Sequence, residues 1–307
     1  MKVVAQAPLR LSLLGGSSDL PVFYQKYKGL CISMAINLRQ HVELSTELGL
    51  TDYGQGDGEF FNQFFLEYQA GIKSLKTWSD APIRSGLGSS ASIAVALVAA
   101  LSRIKGQNLT KSEIAEKAWS ICNNELGLYS GKQDEVAASF GGFNMYEFEK
   151  DGSVNVFPVK NTDFWQKHIL LFDTGIRRTN PKIQEELKQL SETQEQAILE
   201  IKETANYAFH SVLNQKDTTG FAQLISRAWE AKKKSNPLVT NEQIDYIHDT
   251  AVKAGALGGK LCGSGGGGFI WFLVEPEKQE KVVKSLEEVD GVVHYKFDID
   301  WEGVKVT

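Results

Sequence analysis

The segment Pro82-Ile83-Arg84-Ser85-Gly86-Leu87-Gly88-Ser89-Ser90-Ala91-Ser92 runs directly into the apolar stretch Ala91–Ile104. Gly86 and Gly88 allow the backbone to turn tightly and approach a ligand closely. The start of a helix presents N–H groups that have no partner within the helix, carrying partial positive charge. Together these make an anion site suited to phosphates. Ser89, Ser90 and Ser92 add hydroxyls able to bond phosphate oxygens or Mg²⁺. The segment lacks the G-x-x-x-x-G-K-[ST] pattern. A helix cap of the same composition without a ligand would read the same way.

Two more segments carry chemistry. In Ala7-Pro8-Leu9-Arg10-Leu11-Ser12-Leu13-Leu14-Gly15-Gly16-Ser17-Ser18-Asp19, a strand bears Arg10 and a glycine turn presents Asp19. Arg10 can steady developing phosphate charge, and Asp19 can accept from sugar hydroxyls or cap the helix that follows. The third is Gly255–Gly268, closing on four consecutive glycines. Such a run loses much conformational entropy on ordering. Close approach to another backbone or a ligand justifies it, and the apolar Phe269–Val274 that follows argues against a linker.

The elements that must hold these segments alternate in style along the chain. Strands are expected at Val3–Ala7, Arg10–Leu14, Leu30–Ile36, His41–Thr46, Phe143–Phe148 and Val154–Val159. Helices are expected from Asp19-Leu20-Pro21 to Gly29, with Asp19 as N-cap, and over Glu59–Ala70, Ala91–Ile104, Ser112–Asn124 and Lys132–Phe140. The aromatics Phe60, Phe61, Phe64 and Phe65 recur at helical spacing and read as core. After a strand at Ile169–Asp173, a long helix is expected over Pro181–Leu213, capped by Asn180, then helices at Thr219–Lys234 and Asn241–Ala254. Strands Lys260–Cys262, Phe269–Val274 and Val292–Phe297 with a helix at Glu277–Glu288 fit a small open sheet. The division falls near residue 165, giving domains 1–165 and 166–307 in an α+β protein.

In this order and spacing the three segments resemble the signature motifs of the GHMP kinases, a family that includes galactokinases, homoserine kinases and mevalonate kinases. The resemblance covers nearly the whole chain. It implies a ribosomal-protein-S5-like N-terminal domain, a ferredoxin-like C-terminal domain and an active site between them. It also implies ATP and Mg²⁺, with Arg84, Ser85, Gly86, Leu87, Gly88, Ser89, Ser90, Ala91 and Ser92 around the triphosphate. Gly131-Lys132-Gln133-Asp134-Glu135, Ala137–Asn144, Ala7–Arg10 and Thr174–Arg178 look like the corresponding stretches of D-glycero-D-manno-heptose 7-phosphate kinases. That likeness implies Asp134 as catalytic base with Arg10 in support. It implies a sugar-phosphate site around Gly16, Asp19, Lys132, Gln133, Arg178, Gly265 and Gly266. One departure matters: Cys122 or Asn123 stands at the register where many relatives carry a metal-binding glutamate. Ser90 and the nearby Glu125 are the metal candidates. Arg84, Arg177 and Arg178 are candidate phosphate anchors, since guanidinium grips phosphate in a bidentate way.

Bulk properties bound the reading. The chain has 307 residues, a formal net charge of -5 and 42% hydrophobic residues, so no basic nucleic-acid footprint is present. The three cysteines, Cys31, Cys122 and Cys262, have neither disulfide-framework nor metal-ligand spacing. No signal peptide or membrane span is expected, which places the protein in the cytoplasm as a monomer or homodimer acting on small molecules. The resulting expectation is an ATP-dependent kinase that phosphorylates the anomeric hydroxyl of D-glycero-D-manno-heptose 7-phosphate. The alternatives are a galactokinase- or mevalonate-kinase-like activity, a decarboxylase on the same fold, and a non-catalytic sensor of sugar and ATP.

Overall fold

The computed structural model describes residues 1–47, 58–177 and 188–307. Two antiparallel sheets organise them. The first contains β1 (Lys2–Leu14), β2 (Gly29–Ser45), β3 (Ser74–Ser79), β4 (Phe143–Phe148), β5 (Val154–Pro158) and β10 (Lys305–Val306), in the order β10-β1-β2-β4-β5 with β3 also on β2. The second has the order β7-β8-β6-β9, from β6 (Ile169–Asp173), β7 (Gly258–Leu261), β8 (Phe269–Leu273) and β9 (Val293–Tyr295).

Where two strands are expected before residue 15, one continuous strand runs through Pro8. The register with β2 slips between Pro8 and Leu9, and such an irregularity is where a strand tolerates a residue without an N–H. It also reorients the side chains. Val3, Ala5 and Ala7 share an apolar cluster with the helix over residues 89–104, whereas Leu9, Leu11 and Leu13 share one with Leu171, Phe269 and Trp271 of the second sheet. The slip therefore turns Arg10 and Ser12 toward the helical side. Leu30–Ile36 and His41–Thr46 are likewise one long strand, β2.

The helices of the first half are α1 (Pro21–Tyr27), α2 (Gly58–Glu67), α3 (Ser89–Ile104), α4 (Lys111–Ser120), α5 (Gln133–Phe140) and α6 (Thr162–Lys167). Asp19 does not cap α1. The N-cap is Leu20 in extended backbone, and Pro21 fills the first helical position, where no N–H needs a partner. In α2, Phe61 and Phe64 are buried. Past α4 the helix widens to a π-turn over Ile121–Glu125. The strand β3 and the helix α6 were not expected from the sequence.

The second half adds α7 (Glu192–Tyr207), α8 (Thr218–Ser235), α9 (Glu242–Ala254) and α10 (Gln279–Glu287). Asn180, Pro181 and the first turns of the expected long helix lie outside the described residues. Within them, Ser191 opens α7 with a reciprocal capping box to Gln194, and Ala197, Ile201 and Ala205 are buried. The 165/166 division falls just before β6. At the far end, β10 pairs with β1 and Ile299 bridges to Ile36, so residues 299–307 pack with the first sheet.

Candidate active site

The first three segments of interest converge at the seam between the two sheets. Gly88, at φ +78°, is the N-cap of α3, and no side chain closes that helix end. Its Cα faces Asp134 at the start of α5. A methyl group there would stand 3.2 Å from Asp134 Oδ2 and 3.5 Å from the Arg10 side chain. The phosphate-type loop and the candidate base are thus neighbours, and the positive φ of Gly88 favours glycine at the junction.

Arg10 is 4% exposed and fixes this arrangement. Its Nε and Nη2 donate to the two oxygens of Asp134 at 2.7 and 2.6 Å, and Nη1 donates to the Gly86 carbonyl at 2.6 Å. The backbone N–H of Arg10 donates to the Leu87 carbonyl at 3.0 Å. One strand residue therefore ties the loop to the acid by a planar, charge-assisted fork. Burial by itself would lower the Arg10 pKa, and the adjoining Asp134 carboxylate more than reverses that. Asp134 keeps 29% of its side-chain surface exposed.

Asp19 stands at the same helix end. Its Oδ2 accepts from the Gln133 N–H at 3.1 Å, in the first turn of α5, so it caps α5 instead of α1. A side chain at Gly131 would place its first carbon 1.8 Å from Asp19 Oδ2, which requires glycine there. Burial first, then the Asp134 charge, push the Asp19 carboxyl up to about 6. Gln133 accepts from the Ser12 hydroxyl at 3.0 Å through Oε1 and is buried. Gly16 lies against that hydroxyl, at 3.4 Å from a would-be Cβ.

The glycine run supports the loop from the second sheet. Gly268, at φ +93°, lies so close to Ser85 that a methyl group would meet its carbonyl oxygen at 2.2 Å, and the next N–H, of Phe269, donates to that oxygen at 2.8 Å. Gly265 and Gly266 pack on Val239, whose carbonyl accepts from Gly266 N–H at 2.8 Å.

Several candidates are committed elsewhere. Ser92 turns inward and donates to the Pro8 carbonyl at 2.7 Å, so its hydroxyl faces β1 and not a phosphate. Lys132 is buried with its ammonium on Glu116 at 2.6 Å, the Gly152 carbonyl at 2.8 Å and the face of Trp119. It lines a cavity of about 350 Å³ with Glu116, Trp119 and Asp151, which Asp134 does not line. Arg177 grips Asp173 with two bonds of 2.7 Å. Arg84 is exposed at φ +56°. Arg178 lies outside the described residues. Glu125 is exposed at the end of the π-turn, while Cys122 is buried. Asn123 folds the following loop through Ser130.

Two features were not read from the sequence. Glu135 is 2% exposed and its Oε2 has no hydrogen-bond partner, like the buried hydroxyls of Ser85 and Ser89. Burial holds the Glu135 carboxyl well above the ordinary range, with the Asp134 charge adding to it. Its place directly after Asp134 was the available signal. The other is Lys260, a buried amine that reaches from β7 to β1, signalled only by a lysine set among glycines and apolar residues.

Among the described residues no group of three or more His, Cys, Asp or Glu side chains could hold a metal ion. A Mg²⁺ ion arriving with ATP takes most of its ligands from phosphate oxygens and water. The exposed Ser90, in the first turn of α3, has a hard oxygen donor that suits such an ion, whereas the Ser89 hydroxyl is buried.

Two family models match the chain, the GHMP kinases N terminal domain over residues 58–142 and the GHMP kinases C terminal over 208–290. The D-glycero-alpha-D-manno-heptose 7-phosphate kinase of Campylobacter jejuni is 32% identical, covering 99% of this chain and 99% of its own. A crystal structure described as a D-glycero-D-manno-heptose 1-phosphate kinase from Bacteroides thetaiotaomicron superposes with a TM-score of 0.79 at 29% identity, covering 99% of this chain and 98% of its own. The mevalonate kinase of Pyrococcus furiosus is 28% identical over 100% of this chain and 98% of its own.

Proposed function

Since the chain belongs to the GHMP kinases, and is thereby a phosphotransferase acting on an alcohol group, we propose that it moves the γ-phosphoryl group of ATP to the anomeric hydroxyl of D-glycero-D-manno-heptose 7-phosphate. The product is the 1,7-bisphosphate. The observation that carries the reading is the nearness of Gly88 to Asp134, whose Oδ2 would stand 3.2 Å from a methyl group built on the glycine: the residue that caps α3 in the phosphate-type loop lies beside the carboxylate that the acceptor hydroxyl must reach.

Phosphoryl transfer passes through a loose transition state, so the protein contributes mainly position and charge. The N–H groups at the start of α3 and the backbone from Ser85 to Ser89 receive the triphosphate. Arg10 holds Asp134 in one plane and keeps its positive charge at the loop. Asp134 accepts the hydroxyl proton as the new P–O bond forms. Asp19 orients a sugar hydroxyl at the end of α5. Mg²⁺, held by Ser90 and the phosphates, would neutralise charge on the leaving ADP.

The test is ADP release with heptose 7-phosphate, heptose 1-phosphate, galactose and mevalonate, with ³¹P NMR of the product. Turnover of the 7-phosphate with a new anomeric phosphorus supports the proposal. Preference for the 1-phosphate moves the assignment toward the Bacteroides thetaiotaomicron relative, and turnover of mevalonate alone removes the heptose. Asp134→Asn is expected to lower kcat by roughly 10²–10⁴-fold while nucleotide binding persists. Undiminished turnover would remove the base.

A further inference from the structure

The second sheet sends one charged side chain into the buried ground beneath Arg10. Lys260 lies on β7, every residue of which is buried, and is itself 6% exposed. Its ammonium crosses to the first sheet and donates to the Ser12 carbonyl at 3.0 Å. Ser12 follows Arg10 by two positions on β1. Its hydroxyl donates to Gln133, whose N–H donates to Asp19. One side chain of the second sheet is thereby linked to the strand that carries the arginine and to the helix end that carries both acids.

A lysine is almost never fully buried unless it is paired, and burial of an uncompensated ammonium is expensive. Among the described residues no carboxylate forms an ion pair with Lys260. The groups that face it are Cys262 just past the end of its own strand, Arg10 on β1 and Cys31 on β2. Burial brings its pKa down to about 8; the Arg10 charge acts in the same sense and the two thiols oppose it. Two cations therefore share one dry junction, where the Arg10 fork is already engaged by Asp134 and Gly86. Arg10 and Lys260 stand against the two acids of the α5 end, Asp134 and Asp19, and the ammonium acts there through its hold on the Ser12 carbonyl.

We propose that Lys260 is a positioning residue for phosphoryl transfer, which through its bond to the Ser12 carbonyl holds that segment so that Arg10 stays on Asp134. The proposal rests on the reading of the loop as the triphosphate site and of Asp134 as proton acceptor.

The pH profile of kcat decides it, measured on the full chain with ATP and its best acceptor. In the wild type kcat falls as pH rises through about 8, where the amine loses its charge. Lys260→Met lowers kcat by about 100-fold, the weight of a misplacement of about 1 Å, with far less change in KM for ATP and no fall near that pH. Lys260→Arg, which stays charged, restores most of the lost kcat and also lacks the fall. A wild-type profile that is flat through that range overturns the proposal whatever the variants do. So does a Lys260→Met enzyme of unchanged Tm with wild-type kcat and the same alkaline limb. If the wild type turns over no acceptor, the functional reading fails, and solvent exchange of the Arg10 Nε–H followed by NMR decides this inference instead. Protection must drop in Lys260→Met, and unchanged protection overturns it.

Discussion

At the scale of single residues, the site is a set of charges held under tension by burial. Asp19 shows the sign of that tension. Its carboxyl, pushed up to about 6, is easier to protonate in the folded protein than in the unfolded chain. The folded state is therefore favoured by this group below the ordinary carboxylate range, and that advantage is lost as pH rises through about 6. Asp19→Asn keeps the acceptor for Gln133 N–H without the charge. Urea unfolding is expected to show a gain of roughly 3 kcal/mol at pH near 8 and well under 1 kcal/mol near pH 4; a gain equal at both pH values would refute the account. Arg10, Asp19 and Asp134 were candidates in the sequence through the resemblance of their motifs, and the structure brings the three together. That Arg10 and Asp134, 124 positions apart, form one bidentate pair was not legible there, because pairing across such a distance is a property of topology. Lys132 misled for the same reason: its neighbours in the sequence are at the site, while its own side chain points to Glu116 and Trp119.

At the scale of elements, glycines decide how closely loops approach. The run before β8 reads in the sequence as a segment that must touch another backbone, and the backbone it touches is Ser85. Gly268→Ala adds a methyl group 2.2 Å from the Ser85 oxygen at a φ of +93°. The expected result is a loss of stability of about 2 kcal/mol or more with weakened ATP affinity, read by thermal unfolding and nucleotide titration. Wild-type values in both would show that the run does not brace the loop. The helix α3 was plain in the sequence from its apolar composition, and so was the strand pattern of β4, β6 and β8. The strand β3, Ser-Leu-Lys-Thr-Trp-Ser, has only Leu75 and Thr77 buried. Its existence depends on pairing with β2, which local pattern does not reveal. The helix α6 is six residues long, too short for a periodic signal.

At the scale of the whole molecule, the last residues complete the first sheet. Asp300 pairs with the buried Arg39, and its Oδ1 accepts from the N–H groups of Glu302 and Gly303 at 3.1 and 3.0 Å. Gly303 in turn packs on Ser139 at the end of α5, the helix whose other end carries Asp134. Asp300→Ala leaves a buried guanidinium without its counterion and is expected to cost about 3–5 kcal/mol in denaturant unfolding; a change under about 1 kcal/mol would show that Arg39 finds other partners. The two-domain α+β architecture was legible, whereas this return of the chain was not, since residues 299–307 carry no pattern that names β1 as their neighbour. The crossing has a temporal consequence. On a translating ribosome, Arg39 is made 264 residues before Gly303, whose carbonyl it binds. At about 5–20 residues per second it waits roughly 13–50 s for its partners. The earliest sheet to be synthesised is thus the latest to be closed, and through that interval its β1 edge waits for Lys305 and Val306.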